Sequence, residues 1–460
     1  MSMNMRPALR RFCSSANRFS RFFCHSIYSL YCFYTSLLFK ISFFWIQLLY
    51  FPLVALLGFL ALKMTGGVHP PYTNLDLFFT SVAACTAGGL PVIEMEELTN
   101  KQLVVITATM FFGEEVVVSM LELVFKLSKL LHSKAKAEKV IQLCVYSHDS
   151  DELVSDPEKI VVPVSASFPD IDEVIPALKT LILLIASYLL SIHLIGSVLV
   201  GLYLARDRGS KALLEKKHLR HLTFAAFSVT SIFSNCGFLP NNENAVAFRK
   251  APGLLLLWTP LIFLGNTLYG PALRFIVWCL EKVTGRNVFR YILSNRQKTG
   301  FSHLFTGRRS RLLLATAVVF VSAQIALFCA LEWHAVPLAG LTGIEKLVAS
   351  LFQSANSRHA GANVVDLSTL SPATLVFFIL MMYLPPYTSF DPTVQTEESR
   401  SKNSLTPVEW LSGTNLTYIT AFVTIVCITE AENILKDPLN FSILFIVFEI
   451  VSAYGDVGFS

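Results

Sequence analysis

Long apolar stretches alternate with polar connectors along this chain. Seven of them lie at residues 43–64, 102–126, 174–204, 252–280, 311–333, 368–386 and 413–434. Each is close to the roughly 20 residues that a helix needs to cross about 30 Å of hydrocarbon. The pattern therefore predicts an all-α membrane protein.

Four shorter, semi-polar segments that each end on a glycine interrupt this pattern, at residues 78–88, 231–237, 350–361 and 451–458. Glycine adopts irregular backbone dihedrals and places no side chain in a narrow path. A cation pore needs several equivalent loops whose backbone carbonyls replace the water around an ion. The repetition predicts such a ring of loops built from one chain.

The order of outer helix, re-entrant segment and inner helix occurs three times complete and once incomplete. The predicted fold is four pseudo-repeated membrane–pore–membrane units around one pore, at residues 43–126, 174–280, 311–386 and 413–460. The predicted connectors, all cytoplasmic, are 127–173, 281–310 and 387–412, and residues 1–42 form a basic tail. The fourth unit is truncated after its filter loop, so we expect either a fragment or a shortened product.

Composition narrows the function classes. Hydrophobic residues make up 53% of the 460 positions and charged residues 15%, too few charges to cover a water-exposed surface. There is no nucleotide-binding loop, no zinc-protease motif and no basic tract interleaved with aromatics. We predict a protein that is not an enzyme, needs no cofactor and binds no nucleic acid.

Basic residues suggest the orientation. Residues 1–42 contain arginine and no acid, which is compatible with an organelle transit peptide or with a cytoplasmic tail; the apolar span that follows directly favours the tail. The basic connector 281–310 fits the cytoplasmic side too. The basic stretch 206–220 does not, since this topology places it outside.

Several motifs at these loops resemble the plant HKT transporters, relatives of the Trk and Ktr potassium transporters. They are Ser234–Phe238, Pro240–Asn244, Leu264–Tyr269, Asn356–His359, Met381–Tyr387 and Ser452–Gly455. The resemblance implies a plasma-membrane transporter, a homodimer with one pore per chain, that passes Na⁺ alone or Na⁺ with K⁺. Ion gradients and membrane potential would drive transport.

The resemblance also implies the site. Its four filter positions fall on Gly88, Gly237, Gly361 and Gly458, whose backbone carbonyls would contact Na⁺ and K⁺. The adjacent residues are Thr86, Ala87, Asn235, Cys236, Arg358, His359, Asp456 and Val457. In this family a serine at the first position accompanies Na⁺ selectivity and a glycine accompanies K⁺ permeation. Gly88 therefore implies that K⁺ passes, and Gly88→Ser is expected to depress K⁺ permeation.

Departures from the family pattern leave alternatives open. Asp456 stands where asparagine is common, and the chain ends two residues past Gly458, so the fourth inner helix is missing. The alternatives are a Na⁺-selective uniporter and a truncated, non-conducting subunit that modulates a full-length partner.

Charged residues near the predicted path have two interpretations each. Glu114, Glu115 and Glu122 either line the conduction pathway or are buried against a partner. Glu94, Glu96 and Glu97 either concentrate cations at the outer mouth or form an ordinary solvated loop. Arg358 is expected to hold its loop by hydrogen bonds, and His359 to be a hydrogen-bonding residue of the same loop.

Overall fold

A computed structural model describes residues 43–66, 72–148, 169–384, 387, 415–437 and 442–459. Throughout these residues the regular structure is helical, without a strand. The helices are α1 (Phe43–Met64), α2 (Asn74–Cys85), α3 (Asn100–Gly113), α4 (Glu115–His148), α5 (Pro169–Arg206), α6 (Arg208–Lys216), α7 (His221–Phe233), α8 (Pro252–Leu264), α9 (Tyr269–Thr284), α10 (Asn287–Ser294), α11 (Arg296–Thr299), α12 (Gly307–Glu332), α13 (Gly343–Asn356), α14 (Pro372–Tyr383), α15 (Asn415–Thr429), α16 (Ala431–Lys436) and α17 (Ile443–Tyr454). The predicted tail 1–42 and nearly all of the connector 387–412 lie outside the described residues.

Three described helices are long and apolar enough to cross a membrane: α1, α5 and α12. Two further spans arise if each bent pair, α3 with α4 and α8 with α9, is counted as one. The sequence predicted seven. The predicted spans 368–386 and 413–434 contain the shorter apolar helices α14 and α15 in their described parts.

Two of the predicted spans are broken, not continuous. The helix axis bends by 52° between α3 and α4, and by 85° between α8 and α9. Gly113 and Gly265 lie at these breaks, and a Cβ on either would overlap the carbonyl oxygen of Cys85 or Phe233, the last residues of α2 and α7. The inner helices bend where a short helix ends against them, and glycine permits that approach.

Many large apolar side chains are exposed, and part of the buried interior is polar, which is unusual for a water-soluble protein. On α5, Leu183 and Leu194 are exposed, whereas Gln353, Ser354 and Asn356 on α13 are completely buried. Such a surface is unfavourable in water and suits a lipid environment. The polar interior surrounds the ends of the short helices.

Four short helices, α2, α7, α13 and α17, end in this polar interior. Three of them begin on a hydroxyl cap: Thr73, Thr342 and Ser442 accept hydrogen bonds from the first turns of α2, α13 and α17. Each cap satisfies backbone N–H groups that the first turn leaves without partners. The helices therefore start at defined residues, which fixes where the loops after them begin.

Candidate functional site

The loops after α2, α7 and α17 have the same backbone course. Each loop has four residues: a helix cap, a residue with positive φ, a third residue, and a glycine with positive φ. The N–H of the third residue donates to the carbonyl oxygen of the residue five positions before it. The positive-φ pairs are Ala87 and Gly89, Asn235 and Gly237, and Asp456 and Gly458. The bonds from Gly88, Cys236 and Val457 to Ala83, Ser231 and Ser452 are each 2.9 Å. Left-handed dihedrals are costly for residues with a side chain, so their recurrence points to one required loop shape.

The loop after α13 is one residue longer. It runs from the cap Ser357 through Arg358, His359 and Ala360 to Gly361, and Gly361 is its only positive-φ residue. Buried side chains hold it: Gln324 on α12 donates to Ser357 Oγ (2.6 Å), and Thr267 Oγ1 lies 3.1 Å from His359 Nε2. His359 thus forms the hydrogen bond expected of it. The guanidinium of Arg358 lies 4.8 Å from the ring centroid of Phe320, a cation–π contact.

The four left-handed glycines meet in a closed ring. A Cβ on Gly89 would lie 2.6 Å from Gly458 Cα and would also overlap the carbonyl oxygen of Cys236. A Cβ on Gly237 would overlap the Ala360 carbonyl oxygen, and one on Gly361 would lie 2.7 Å from the Gly458 carbonyl carbon. Each loop therefore contacts the next, and the last contacts the first, at a distance that only glycine allows.

The register of the first loop differs from the sequence prediction. Gly88 occupies the position of Cys236 and Val457, whereas Gly89 takes the left-handed conformation of Gly237 and Gly458 and contacts Gly458. Gly88 has ordinary surroundings: the nearest atom to an added Cβ would be Thr86 Oγ1, at 3.4 Å. Placing Gly88 in register with the other three glycines was therefore wrong by one residue. The sequence contains the alternative, because a second glycine, Gly89, directly follows Gly88.

The other residues named from sequence fall into two groups. Ala87, Asn235 and Asp456 are the first left-handed residues of their loops, and Thr86 is the cap of the first. Cys236 and Val457 immediately precede ring glycines and are completely buried. The structure places these residues in the loops that hold the four glycines and gives them backbone roles that the sequence did not predict.

A cavity of about 260 Å³ lies on one side of the ring, bounded by Gly89, Gly237 and Gly458. Its walls include the loops that follow the first and second of these glycines. These loops are joined: Asn242 N donates to Glu96 Oε1 (2.9 Å) and Asn242 Nδ2 donates to Glu94 Oε2 (3.0 Å). The sequence motif Pro240–Asn244 thus forms part of a wall.

Lys217 strengthens this junction. Its ammonium bonds to Glu96 and lies 2.7 Å from Glu243 Oε2. Burial tends to raise the pKa of Glu96, but the hydrogen bonds from Lys217 and Asn242 and the charge of Lys217 lower it below its ordinary value. Burial tends to lower the pKa of Lys217, but its bonds to Glu243 and Glu96 raise it overall. Lys217 belongs to the basic stretch 206–220, which the predicted topology places outside against the usual charge bias, and its partners here are Glu96 and Glu243.

The three glutamates of the first inner helix have different surroundings. Glu114 lies at the break and is 1% exposed, with Oε2 3.7 Å from His193 Nε2. Glu115 accepts a hydrogen bond from the Tyr387 hydroxyl, and Glu122 lies 2.6 Å from Lys126. Glu114 fits the buried interpretation. Sequence analysis did not identify its neighbour His193 or the role of Tyr387.

In comparison with known proteins, the chain is similar to plant cation transporters. The family model TrkH, described as a cation transport protein, matches residues 171–389. The chain is 40% identical over 398 residues to the sodium transporter HKT1 of Arabidopsis thaliana, covering 84% of this chain and 78% of the relative. It is 38% identical over 427 residues to the cation transporter HKT1;3 of Oryza sativa subsp. japonica, covering 90% of this chain and 80% of the relative. The solved potassium transporter TrkH from Vibrio parahaemolyticus aligns with a TM-score of 0.44 and 15% identity, over 75% of this chain and 57% of that one.

Proposed function

Because the chain belongs to the HKT family of plant cation transporters within the wider Trk group, we propose that it conducts Na⁺ and K⁺ through the ring of Gly89, Gly237, Gly361 and Gly458. It is a membrane protein, and its relatives are transporters, a non-enzymatic class. We further propose that it acts in the plasma membrane with a cytoplasmic amino terminus, and that two copies form a dimer with one pore each.

The observation that carries this proposal is the closed contact of four loops from four parts of one chain. Each loop follows a short helix that ends in the polar interior, and each contributes a glycine with positive φ. Irregular backbone at membrane depth is tolerated only where protein or a water-filled path surrounds it. We interpret the arrangement as four membrane–pore–membrane units around one axis.

Conduction would depend on backbone carbonyls. A cation entering the ring loses water, and carbonyl oxygens of the four loops take its place. The missing side chains at the ring glycines keep the path open. No metal-ligating group of three or more His, Cys, Asp or Glu residues occurs in the described part of the chain, and the proposed transport needs only the backbone.

Gly89 is the position that we assign to K⁺ permeation. A serine there would need a left-handed φ of 66° and would press on Gly458 and on the Cys236 carbonyl. Such pressure would narrow or distort the ring and disfavour the larger ion. Glycine leaves the ring wide, and this supports passage of K⁺ beside Na⁺.

A second candidate is Na⁺ conduction alone, favoured by the 40% identity to a relative named a sodium transporter. In either case ions would move down their electrochemical gradient. Membrane potential contributes about 2.3 kcal/mol per charge per 100 mV, and the sequence contains no nucleotide-binding loop to supply other energy.

The test is the reversal potential of the chain in voltage-clamped oocytes, with external Na⁺ and K⁺ varied separately. Shifts with both ions are expected. Shifts with Na⁺ alone would establish the second candidate, and absence of current from protein labelled at the cell surface would contradict both.

A further inference from the structure

A buried carboxyl group and a buried imidazole face each other near the ring, and neither belongs to it. Glu114 follows Gly113 at the break between α3 and α4, and His193 lies on α5. Glu114 Oε2 lies 3.7 Å from His193 Nε2; the side chain of Glu114 is fully buried and that of His193 is 12% exposed. Within the described residues, both Glu114 oxygens and His193 Nε2 lack a hydrogen-bond partner. Buried polar atoms ordinarily have one.

The other ring nitrogen shows which hydrogen is missing. His193 Nδ1 lies 2.9 Å from the Leu189 carbonyl oxygen. A carbonyl oxygen only accepts, so Nδ1 carries a hydrogen, and Nε2 of the neutral ring is then a bare acceptor. An ionised carboxylate is an acceptor too. Two acceptors therefore face each other slightly beyond hydrogen-bond distance, and a proton between them, which needs no cavity, would satisfy both.

The surroundings favour a neutral arrangement, in which Glu114 is the acid and His193 the acceptor. The His193 ring packs edge-on against Phe111 (5.2 Å between ring centroids) and Phe233 (5.1 Å). Buried ion pairs are stable only when further hydrogen bonds satisfy them, and Glu114 has none among the described residues. A protonated carboxyl group that donates to Nε2 avoids both charges.

The equivalent position in the second unit holds a neutral side chain. Gly265 contacts the last residue of α7 as Gly113 contacts the last residue of α2. The residue after Gly265 is Asn266, where the first unit has Glu114. An amide is uncharged and can donate a hydrogen bond. A protonated carboxyl group shares both properties, whereas a carboxylate has neither.

The neighbours of the pair provide no other proton for it. Tyr188 and Tyr269 interact electrostatically with Glu114, but the first hydroxyl donates to the Leu264 carbonyl and the second pairs with Ser119 Oγ. Phenols and thiols ordinarily keep their protons at neutral pH. The carboxylate that follows on α4 makes a further negative charge here unfavourable. The titratable neighbours in the described helices are Tyr50 on α1, Cys85 on α2, Glu115 on α4, Tyr188 on α5 and Tyr269 on α9.

The pair also connects two helices that carry ring loops. The glycine beside Glu114 lies against the last residue of α2, which leads into the first loop. The His193 ring contacts the last residue of α7, which leads into the second loop. A hydrogen bond between the two side chains therefore ties the first unit to the second beside the ring.

We propose that Glu114 and His193 form a proton-binding site, in which the protonated carboxyl group of Glu114 donates a hydrogen bond to Nε2 of His193 and holds the first two units together. Removal of the proton to solvent leaves two acceptors and a net negative charge in the buried gap, so the bond between the units is lost. Conduction then falls when the pH is high enough to remove the proton. This consequence rests on the proposed function of the ring, whereas the proton site does not.

Infrared spectroscopy of the purified protein tests the site without a current. A protonated carboxyl group has a carbonyl band that a carboxylate lacks. The wild type should show such a band at neutral pH, and Glu114→Gln should lose it. Glu122→Gln is the matched control, because Glu122 lies on the same helix, is partly exposed and is 2.6 Å from Lys126 Nζ; it should keep the band. Equal bands in the wild type and in Glu114→Gln would overturn the proton site.

Thermal unfolding distinguishes the hydrogen bond from a buried charge. The amide of Glu114→Gln still donates to His193 Nε2, so this variant should keep the wild-type melting temperature at neutral pH. Glu114→Leu fills a similar volume without a donor and should melt roughly 1–4 °C lower. Equal melting temperatures for the two variants would overturn the hydrogen bond.

Currents in excised membrane patches test the consequence for conduction. The wild-type current should fall about twofold at the pH where half of the infrared band is lost, and Glu114→Gln should keep its current over the same range. A band that persists wherever the protein stays folded, or a current that does not follow it, would overturn the dependence of conduction on the proton. A wild-type chain without current would contradict the proposed function, while the infrared result still decides the proton site.

Discussion

The phenolic hydroxyl of Tyr387 donates a hydrogen bond of 2.6 Å to a carboxylate oxygen of Glu115. Tyr387 follows α14, and Glu115 is the first residue of α4. The same hydroxyl lies 3.4 Å from the Asn266 carbonyl oxygen, at the break between α8 and α9, and 3.4 Å from His303 Nδ1. Tyr387, the first residue of the predicted connector 387–412, therefore contacts the first and second proposed units and the connector 281–310.

Tyr387→Phe is expected to lower the unfolding free energy by about 1.5–3 kcal/mol, since a hydrogen bond to a charged acceptor is lost. The measurement is thermal unfolding of the purified protein in detergent. Tyr383→Phe is the matched control, because Tyr383 stacks on the ring of Tyr454 (6.0 Å) and keeps that contact as phenylalanine. Equal losses in both variants would contradict the connecting role of the Tyr387 hydroxyl.

Gly89→Ser is expected to reduce K⁺ permeability relative to Na⁺ by about tenfold or more, the effect of roughly 1.4 kcal/mol at the ring. The reason is the contact of an added Cβ with Gly458 and the Cys236 carbonyl. Reversal potentials in mixed Na⁺ and K⁺ solutions measure the ratio.

Gly88→Ser is the control for that change. Its added Cβ meets only atoms at 3.4 Å or beyond, so the permeability ratio should stay near that of the wild type. The original assignment from sequence makes the opposite prediction. A large change in the permeability ratio for Gly88→Ser with none for Gly89→Ser would support Gly88 as the filter position.

Gly237→Ala should destabilise the protein more than Gly340→Ala. Both glycines have left-handed dihedrals, with φ of 77° and 74°, but only Gly237 has backbone against the added methyl group. Gly340→Ala should cost about 1–2 kcal/mol from φ alone, and Gly237→Ala a further 1–3 kcal/mol from overlap. Thermal unfolding of the two variants measures the difference, and equal costs would mean that the ring contact is looser than described.

Lys217→Met should lower stability by about 1 kcal/mol at neutral pH, the upper range for a partly exposed ion pair. Because the pKa of Glu96 is lowered in the folded state, its contribution is present above the ordinary value of 4.5 and is lost as pH falls through the folded pKa. Because the pKa of Lys217 is raised, its contribution is present below 10.5 and is lost as pH rises further. Wild type and variant should therefore differ in melting temperature near pH 7 and converge on acidification. A constant difference down to pH 3 would exclude the ion pair as its cause.

Sequence patterns predicted the helices well where the length of an apolar stretch alone determines the bounds of the helix. The helix predicted at 43–64 is α1 with the same bounds, and the segment predicted at 350–361 begins inside α13. The glycine-ended segments led to the four loops because glycine is required wherever backbones touch. The family resemblance supplied the chemistry of the proposed ring.

Other features depend on contacts between distant parts of the chain. The breaks after Gly113 and before Tyr269 arise because other helices end there, and a hydropathy pattern does not register such contacts. The choice between Gly88 and Gly89 required the neighbouring loops. The sequence does not reveal the extra residue of the third loop, because Arg358 and His359 look like ordinary polar loop residues. The side chains that hold this loop in place, Gln324 and Thr267, come from distant parts of the chain.

The contact of Gly89 with Gly458 also means that the ring cannot close until the end of the chain has been synthesised. The two residues are about 370 positions apart in the chain, which at about 5–20 residues per second separates their synthesis by roughly 20–70 s. During that interval the first loop has backbone groups and a left-handed glycine without the neighbour that covers them. A newly made chain must therefore keep an unfinished ring inside the membrane until its last segment arrives, and this period is when membrane chaperones or quality-control proteases would meet it.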